Sequence, residues 1–247
     1  MTIKVKIGEK VPQVTFKIRE NSQWVTKTSD DFFKGKRVVL FALPGAFTPT
    51  CSSVHLPRYN ELSDTIKANG VEDIICLAVN DSFVLNEWKE VEKANNITML
   101  PDGNGEFTRA LGLLVNKEDL CFGERSWRYS MVVNDGIIEK MFIEPNEEGD
   151  PYGESSAENM LHYLNPEAEI PDSVTIFTKK DCSFSARAKE LLKTSHIPYE
   201  EHVLLEDFTI KTVKALSNST KLPQVFINGE RIGGAEDLER YMSEKQQ

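Results

Sequence analysis

Arg37-Val38-Val39-Leu40-Phe41-Ala42-Leu43-Pro44-Gly45-Ala46-Phe47-Thr48-Pro49-Thr50-Cys51 is an apolar run that stops at Pro-Gly, crosses a loop stiffened by proline, and delivers a cysteine into a helical pattern. A run this short and this apolar reads as a strand buried on both faces, with Pro44-Gly45 as its exit. Cys51 then falls in a first helical turn, where backbone N–H groups lack intrahelical acceptors and form a weak positive pole. An anionic sulfur is stabilised there, which favours a nucleophile over a packing residue. Pro44 and Pro49 restrict the loop and shield the sulfur from bulk water. Thr48 is close enough in sequence to offer its hydroxyl to a bound oxygen.

Outward from this segment, strands and helices alternate. Residues 73–79 read as a second buried strand, 83–94 as an amphipathic helix with Phe83, Leu85, Trp88 and Val91, and 97–100 as a third strand. Residues 129–133 and 137–143 flank Asn134-Asp135-Gly136, a hairpin signal because glycine tolerates positive φ. A parallel sheet extended by an antiparallel hairpin is the thioredoxin-like plan. Residues 145–153 are acidic and rich in turn formers. After a short helix at 155–164, Pro166 and Pro171 break the chain again. Beyond the break the plan repeats in smaller form: strand 174–177, helix 183–194, strand 199–203, helix 207–216, strand 224–227, and a helix from Ala235. The sequence therefore predicts an α/β chain of two thioredoxin-like domains in tandem, residues 1–165 and 173–247, joined by a linker at 166–172.

The second domain repeats the first in its chemistry as well. Thr178-Lys179-Lys180-Asp181-Cys182-Ser183-Phe184-Ser185 follows a strand and opens a helix, so the helix-start argument applies to Cys182, and Lys179 adds a nearby cation. Downstream, Pro223 enters a strand and forces Leu222 to be extended; beside a cis proline, such a backbone can pair with a bound peptide.

Composition narrows the partners. A net charge of -10 over 247 residues, without a Lys/Arg-rich run, leaves no basic surface for nucleic acid. No apolar run reaches the roughly 18 residues of a membrane span, and the first eight residues alternate charged and apolar side chains instead of building a signal core, so a cytoplasmic location is expected. The four histidines fall in separate elements and Cys51, Cys76, Cys121 and Cys182 lack metal-ligand spacing, which argues against zinc.

Residues 44–51 resemble the peroxiredoxin motif Pro-x-x-x-Thr-x-x-Cys, in the form of the peroxiredoxin-five type. The resemblance continues through Val79-Asn80-Asp81-Ser82-Phe83-Val84 with Trp88, and through Arg128-Tyr129-Ser130-Met131-Val132-Val133, covering about residues 1–165. It implies that Cys51 is the peroxidatic thiol, that Thr48 and Pro44 shape a peroxide pocket, and that Arg128 steadies the thiolate, with Arg125 as the rival cation. Residues 173–247 resemble glutaredoxin in the cysteine motif, in Leu222-Pro223-Gln224-Val225-Phe226-Ile227-Asn228-Gly229, and in Gly233-Gly234-Ala235-Glu236-Asp237. By that match Lys179 and Asp237 hold the charged ends of glutathione, Leu222 pairs with its backbone, Pro223 is the cis proline, Gly234 permits close approach, and Phe184 belongs to the same site. The chain departs from the Cys-Pro-Tyr-Cys pattern at Ser183 and Ser185, which excludes dithiol chemistry within this domain and leaves a monothiol route.

Together the resemblances imply a peroxidase that reduces hydrogen peroxide and small alkyl hydroperoxides through a sulfenic acid at Cys51. Glutathione serves as reducing co-substrate, no cofactor is tightly bound, and the protein is a homo-oligomer, dimer or tetramer, with peroxiredoxin–glutaredoxin contacts. Cys76, inside an apolar strand, reads as core, and Cys121 as structural or incidental. Two rivals stand beside this reading. One is an iron-sulfur carrier, since residues 182–185 partly resemble Cys-Gly-Phe-Ser; the other is a redox-sensing adaptor that passes oxidation to a partner protein.

Overall fold

The first unit opens with a hairpin of β1 (Thr15–Glu20) and β2 (Gln23–Thr28), followed by α1 (Ser29–Phe33) and β3 (Arg37–Ala42). After the cysteine loop come a five-residue π-helical stretch (Cys51–His55), α2 (Leu56–Glu61), α3 (Ser63–Ala68), β4 (Asp73–Ala78), α4 (Ser82–Val91) and β5 (Thr98–Pro101). Then α5 (Glu106–Leu111) leads to a small hairpin of β6 (Leu114–Asn116) and β7 (Glu124–Ser126), to β8 (Tyr129–Asn134) and β9 (Ile137–Ile143), and to α6 (Ala157–Leu164). In this computed structural model, which describes residues 3–195 and 197–245, the division into two units falls between Ala168 and Glu169.

The apolar run quoted above is the central strand of a five-stranded sheet ordered β5-β4-β3-β8-β9, with β3, β4 and β5 parallel and β8 and β9 antiparallel. Its continuous hydrophobicity follows from burial on both faces. Val39 and Phe41 pack with Tyr59, Leu85, Trp88 and Met160 on one side; Val38, Leu40 and Ala42 pack with Phe33, Phe107 and Met131 on the other. Alternation with period two assigns neighbours in sequence to opposite cores. Phe41 and Tyr59 stack with centroids 4.2 Å apart and planes 3° apart, fixing α2 over the strand that feeds the cysteine loop.

The second unit is a four-stranded sheet ordered β11-β10-β12-β13, built from β10 (Val174–Thr178), β11 (Glu200–Val203), β12 (Gln224–Ile227) and β13 (Glu230–Gly233). Helices α7 (Ser183–Thr194), α8 (Ile210–Ser217) and α9 (Ala235–Lys245) complete it. Val174, Ile176, Val225 and Ile227 pack with Ala188 and Leu192 of α7 and Leu238 of α9.

Three features refine the sequence reading. The helix beginning at residue 207 starts instead at Ile210, because residues 204–208 close a turn through Leu205 N–H to Phe208 O (2.8 Å). The chain after Cys51 is helical, as expected, and the structure resolves it into a π-helical stretch and two short helices broken at Leu62. The hairpins β1–β2 and β6–β7 lie outside the elements read from the sequence, although Phe16 and Ile18 alternate with polar residues in β1.

Candidate active site

Pro49 is the first helical residue after the loop and Thr48 caps it, its carbonyl accepting from Ser52 N–H at 3.0 Å. Proline at that position fits, because its missing N–H would have had no acceptor. Cys51 therefore stands in the first turn, and it is fully buried. Leu56 N–H reaches back five residues to the Cys51 carbonyl, widening the turn into π geometry, a form that recurs at functional sites. The widened turn brings Cys51 and His55, four residues apart, to a common partner.

That partner is Arg128, only 1% exposed. Its Nη1 lies 3.6 Å from Cys51 Sγ and 3.1 Å from His55 Nδ1, and its Nη2 pairs with the Asp150 carboxylate. A guanidinium only donates, so Nδ1 must accept. His55 then carries its proton on Nε2, which faces the Ser155 carbonyl at 3.3 Å. Burial, reinforced by the Arg128 charge, pushes the His55 pKa well below the ordinary imidazole value and keeps the ring neutral, against the opposing pull of the Ser155 carbonyl. Arg125, the rival cation, is spent elsewhere: Nη1 donates to Val79 O at 3.1 Å and Nε to Phe122 O at 3.0 Å.

The hydroxyl of Thr48 donates to Gly45 O at 2.8 Å, so toward a ligand it presents lone pairs and not its proton. The loop is further fixed by Asn80, whose Oδ1 accepts from Ala46 N–H at 3.0 Å. Pro44 lies between the end of β3 and this loop, where ring rigidity holds the path from strand to cysteine. Cys76 is buried in β4, and that burial raises its thiol pKa well above the ordinary value, as a core residue requires. Cys121 is exposed at φ 57°, a left-handed position that glycine adopts more readily.

In the second unit Cys182 caps α7 and is partly exposed. Burial raises its pKa, but the Ser185 hydroxyl, the N–H groups of Ser185 and Phe184, and the charge of Lys179 together outweigh burial, and the thiol is lowered from its ordinary value. Ser185 itself is buried. The Leu222–Pro223 bond is cis, and the Leu222 carbonyl lies 4.0 Å from Cys182 Sγ. A depression of about 290 Å³ beside the sulfur is lined by Lys179, Asp181, Ser185 and Lys189 among others. The structure thus groups Lys179, Cys182 and Leu222. Gly234 approaches the Pro223 carbonyl, 3.8 Å from where a Cβ would stand. One carboxylate oxygen of Asp237 accepts from Gly234 N–H at 2.9 Å and the other pairs with Arg240 at 2.6 Å, which fixes the Gly233-Gly234 loop and leaves a lone pair on each oxygen. Phe184 points outward and is half exposed. Among the described residues, no group of three or more His, Cys, Asp or Glu could hold a metal ion.

A family model described as Redoxin matches residues 6–161, more than half of the chain, and one described as Glutaredoxin matches residues 174–232. Hybrid peroxiredoxin hyPrx5 of Haemophilus influenzae is 56% identical over 236 residues, spanning 96% of this chain and 98% of that protein. The chain belongs to the hybrid peroxiredoxins, with a glutaredoxin domain fused to a redoxin domain. Peroxiredoxin sll1621 of Synechocystis is 55% identical over 176 residues, covering 66% of this chain and 93% of its own. The crystal structure of reduced Prx3 from Vibrio vulnificus, in complex with hydrogen peroxide, superposes with a TM-score of 0.62 at 39% identity, over 65% of this chain and 99% of that one. This hybrid peroxiredoxin is a peroxidase of the oxidoreductase class, with two thioredoxin-like domains.

Sequence reasoning did not find His55, Glu144, Asp150 or Tyr152. His55 carried a signal, four residues after Cys51 on the same helical path. The other three sit in and around the acidic segment at 145–153, read only as rich in turn formers and ahead of the last helix of the first domain. Glu144 is buried; its carboxylate accepts from the N–H groups of Gly153 (2.9 Å), Glu154 (3.2 Å) and Ser155 (2.8 Å) and from the Ser155 hydroxyl (2.7 Å). That closure returns the segment over the site, with Tyr152 against His55 (centroids 5.1 Å apart) and Asp150 on Arg128.

Proposed function

We propose that this hybrid peroxiredoxin reduces hydrogen peroxide and small alkyl hydroperoxides at Cys51 with glutathione as electron donor, and that Cys182 removes the glutathione that Cys51 acquires. The observation that carries this reading is the buried Arg128 guanidinium 3.6 Å from Cys51 Sγ at a helix start. A thiolate attacking the terminal peroxide oxygen sheds negative charge onto the departing oxygen. A fixed cation beside both lowers that barrier.

The Cys51 thiolate takes the terminal oxygen, the O–O bond breaks, and the leaving oxygen is protonated to water or alcohol, leaving a sulfenic acid. Glutathione condenses with the sulfenic acid, releasing water and forming a mixed disulfide. Cys182 attacks the glutathione sulfur, freeing Cys51, and a second glutathione releases Cys182 with formation of glutathione disulfide. Ser185 supports the monothiol form of this exchange because it assists the thiolate without offering a second sulfur. Fusion keeps the recycling thiol at high local concentration. The reading has the enzyme acting in the cytoplasm as a homo-oligomer.

The test is NADPH consumption coupled through glutathione reductase, with glutathione and peroxide. Cys51→Ser should be inactive and Cys182→Ser at least about tenfold slower. A Cys182→Ser enzyme that turns over at the wild-type rate would overturn the recycling step.

A further inference from the structure

Arg128 spends its second amino group on Asp150, and this has a consequence for the substrate. The Asp150 side chain is 41% exposed while Arg128 is 1% exposed, so the carboxylate lies on the solvent side of the buried cation. When Cys51 is a thiolate, one guanidinium stands between two anions and the group carries one net negative charge. His55 is neutral and adds none. The same segment presents Glu147, Glu148 and Glu154 to solvent. Arg58 is closed off by Glu61 and Glu158, and Arg125 lies against Gly45 and donates to the backbone carbonyls of Val79 and Phe122, not to Cys51 or Asp150. We propose that Asp150 makes the Cys51 site select uncharged hydroperoxides over hydroperoxides bearing a negative charge near the reacting oxygen. The inference rests on peroxide reduction at Cys51 as proposed above and names the substrate class of that site.

The charge account also fits the cycle. Oxidation replaces the thiolate by a neutral sulfenic acid, so the cluster becomes neutral and the anionic tripeptide glutathione meets a smaller barrier than an anionic peroxide would. Asp150 touches neither the sulfur nor, on this account, the peroxide. It is a positioning and selectivity residue acting through Arg128.

The test reads only the first step, oxidation of reduced full-length enzyme in a single turnover without glutathione. The probes are 3-hydroperoxy-3-methylbutanoate and its methyl ester, which differ in charge and share the reacting group. The wild-type enzyme should prefer the ester by about tenfold, the scale set by unit charges a few ångströms apart in a partly exposed site. Asp150→Asn should bring the ratio close to one even if both rates fall, Asp150→Glu should keep it, and 0.5 M salt should narrow the wild-type preference. An unchanged ratio in Asp150→Asn, or a wild-type enzyme without preference at low salt, overturns the inference while leaving peroxide reduction standing. Should Asp150→Asn fail to fold, the wild-type ratio and its salt dependence still decide. Failure of the ester and hydrogen peroxide alike to oxidise Cys51 would overturn both this inference and the function it rests on.

Discussion

Cys51 and Cys182 occupy equivalent places, each following a strand and standing at the start of a helix, yet the surroundings that activate them are opposite. Cys51 is fully buried and faces a buried arginine. Cys182 is partly exposed and relies on a neighbouring hydroxyl, two backbone N–H groups and a surface lysine. On the function proposed above, the difference tracks the size of what each thiol meets. A peroxide fits a closed pocket, where a desolvated cation acts at full strength. A tripeptide on a sulfur needs an open groove, where water weakens charge and short hydrogen bonds do the stabilising.

The comparison can be broken from either side. Arg128→Gln should slow oxidation of Cys51 by about 10²- to 10³-fold in stopped-flow measurements, the cost typical of losing a preorganised donor to developing charge. Cys182-dependent deglutathionylation of a small disulfide should stay at its wild-type rate, and a parallel loss there would show that the variant merely misfolds. Ser185→Ala should do the reverse. It raises the Cys182 pKa, so deglutathionylation at pH 7 falls by about fivefold, with the gap closing above pH ~9, where both thiols are ionised; Cys51 oxidation is unaffected.

A third prediction concerns stability. The folded His55 pKa is depressed, so below the unfolded value of about 6.5 the unfolded chain binds the extra proton and the native state does not. Stability is therefore full above pH ~6.5 and is lost as pH falls below it, by up to about 1.4 kcal/mol per pH unit until the folded pKa is reached. Thermal unfolding of the full chain between pH 5 and 8 should show this slope, and His55→Gln should flatten it. The smallest effect belongs to Lys179. Lys179→Gln should slow Cys182 by about twofold at low salt and not measurably at 0.5 M, since screening already removes a surface charge's influence.

Much of this was legible in the sequence because the information is local. The strand, the proline-stiffened loop and the cysteine that opens a helix are consecutive at 37–51, and a strand, a short loop without proline and a cysteine at a helix start recur at 174–182. Cys182 beside Lys179 was equally readable from its neighbours in the chain, whereas the cis state of Pro223 followed from the resemblance to glutaredoxin. What was hidden depends on distant contacts. Asp150 reaches Arg128 from 22 residues away, and only because the buried Glu144 closes the intervening segment. An acidic stretch with glycines and prolines looks like a solvated boundary until its carboxylates are placed. For Asp237 the resemblance to glutaredoxin implies a ligand contact, and the folded chain adds that its oxygens also hold the Gly234 N–H and Arg240.

The division of labour between the two sulfurs is tested most directly by locating glutathione after a single oxidation. Reduced Cys182→Ser enzyme is treated with one equivalent of peroxide and then with glutathione, quenched with acid, and digested for peptide mass mapping. The account predicts glutathione accumulating on the Cys51 peptide of this variant and only transiently in the wild-type enzyme. A Cys51 peptide that returns to the free thiol equally fast in both proteins would contradict it.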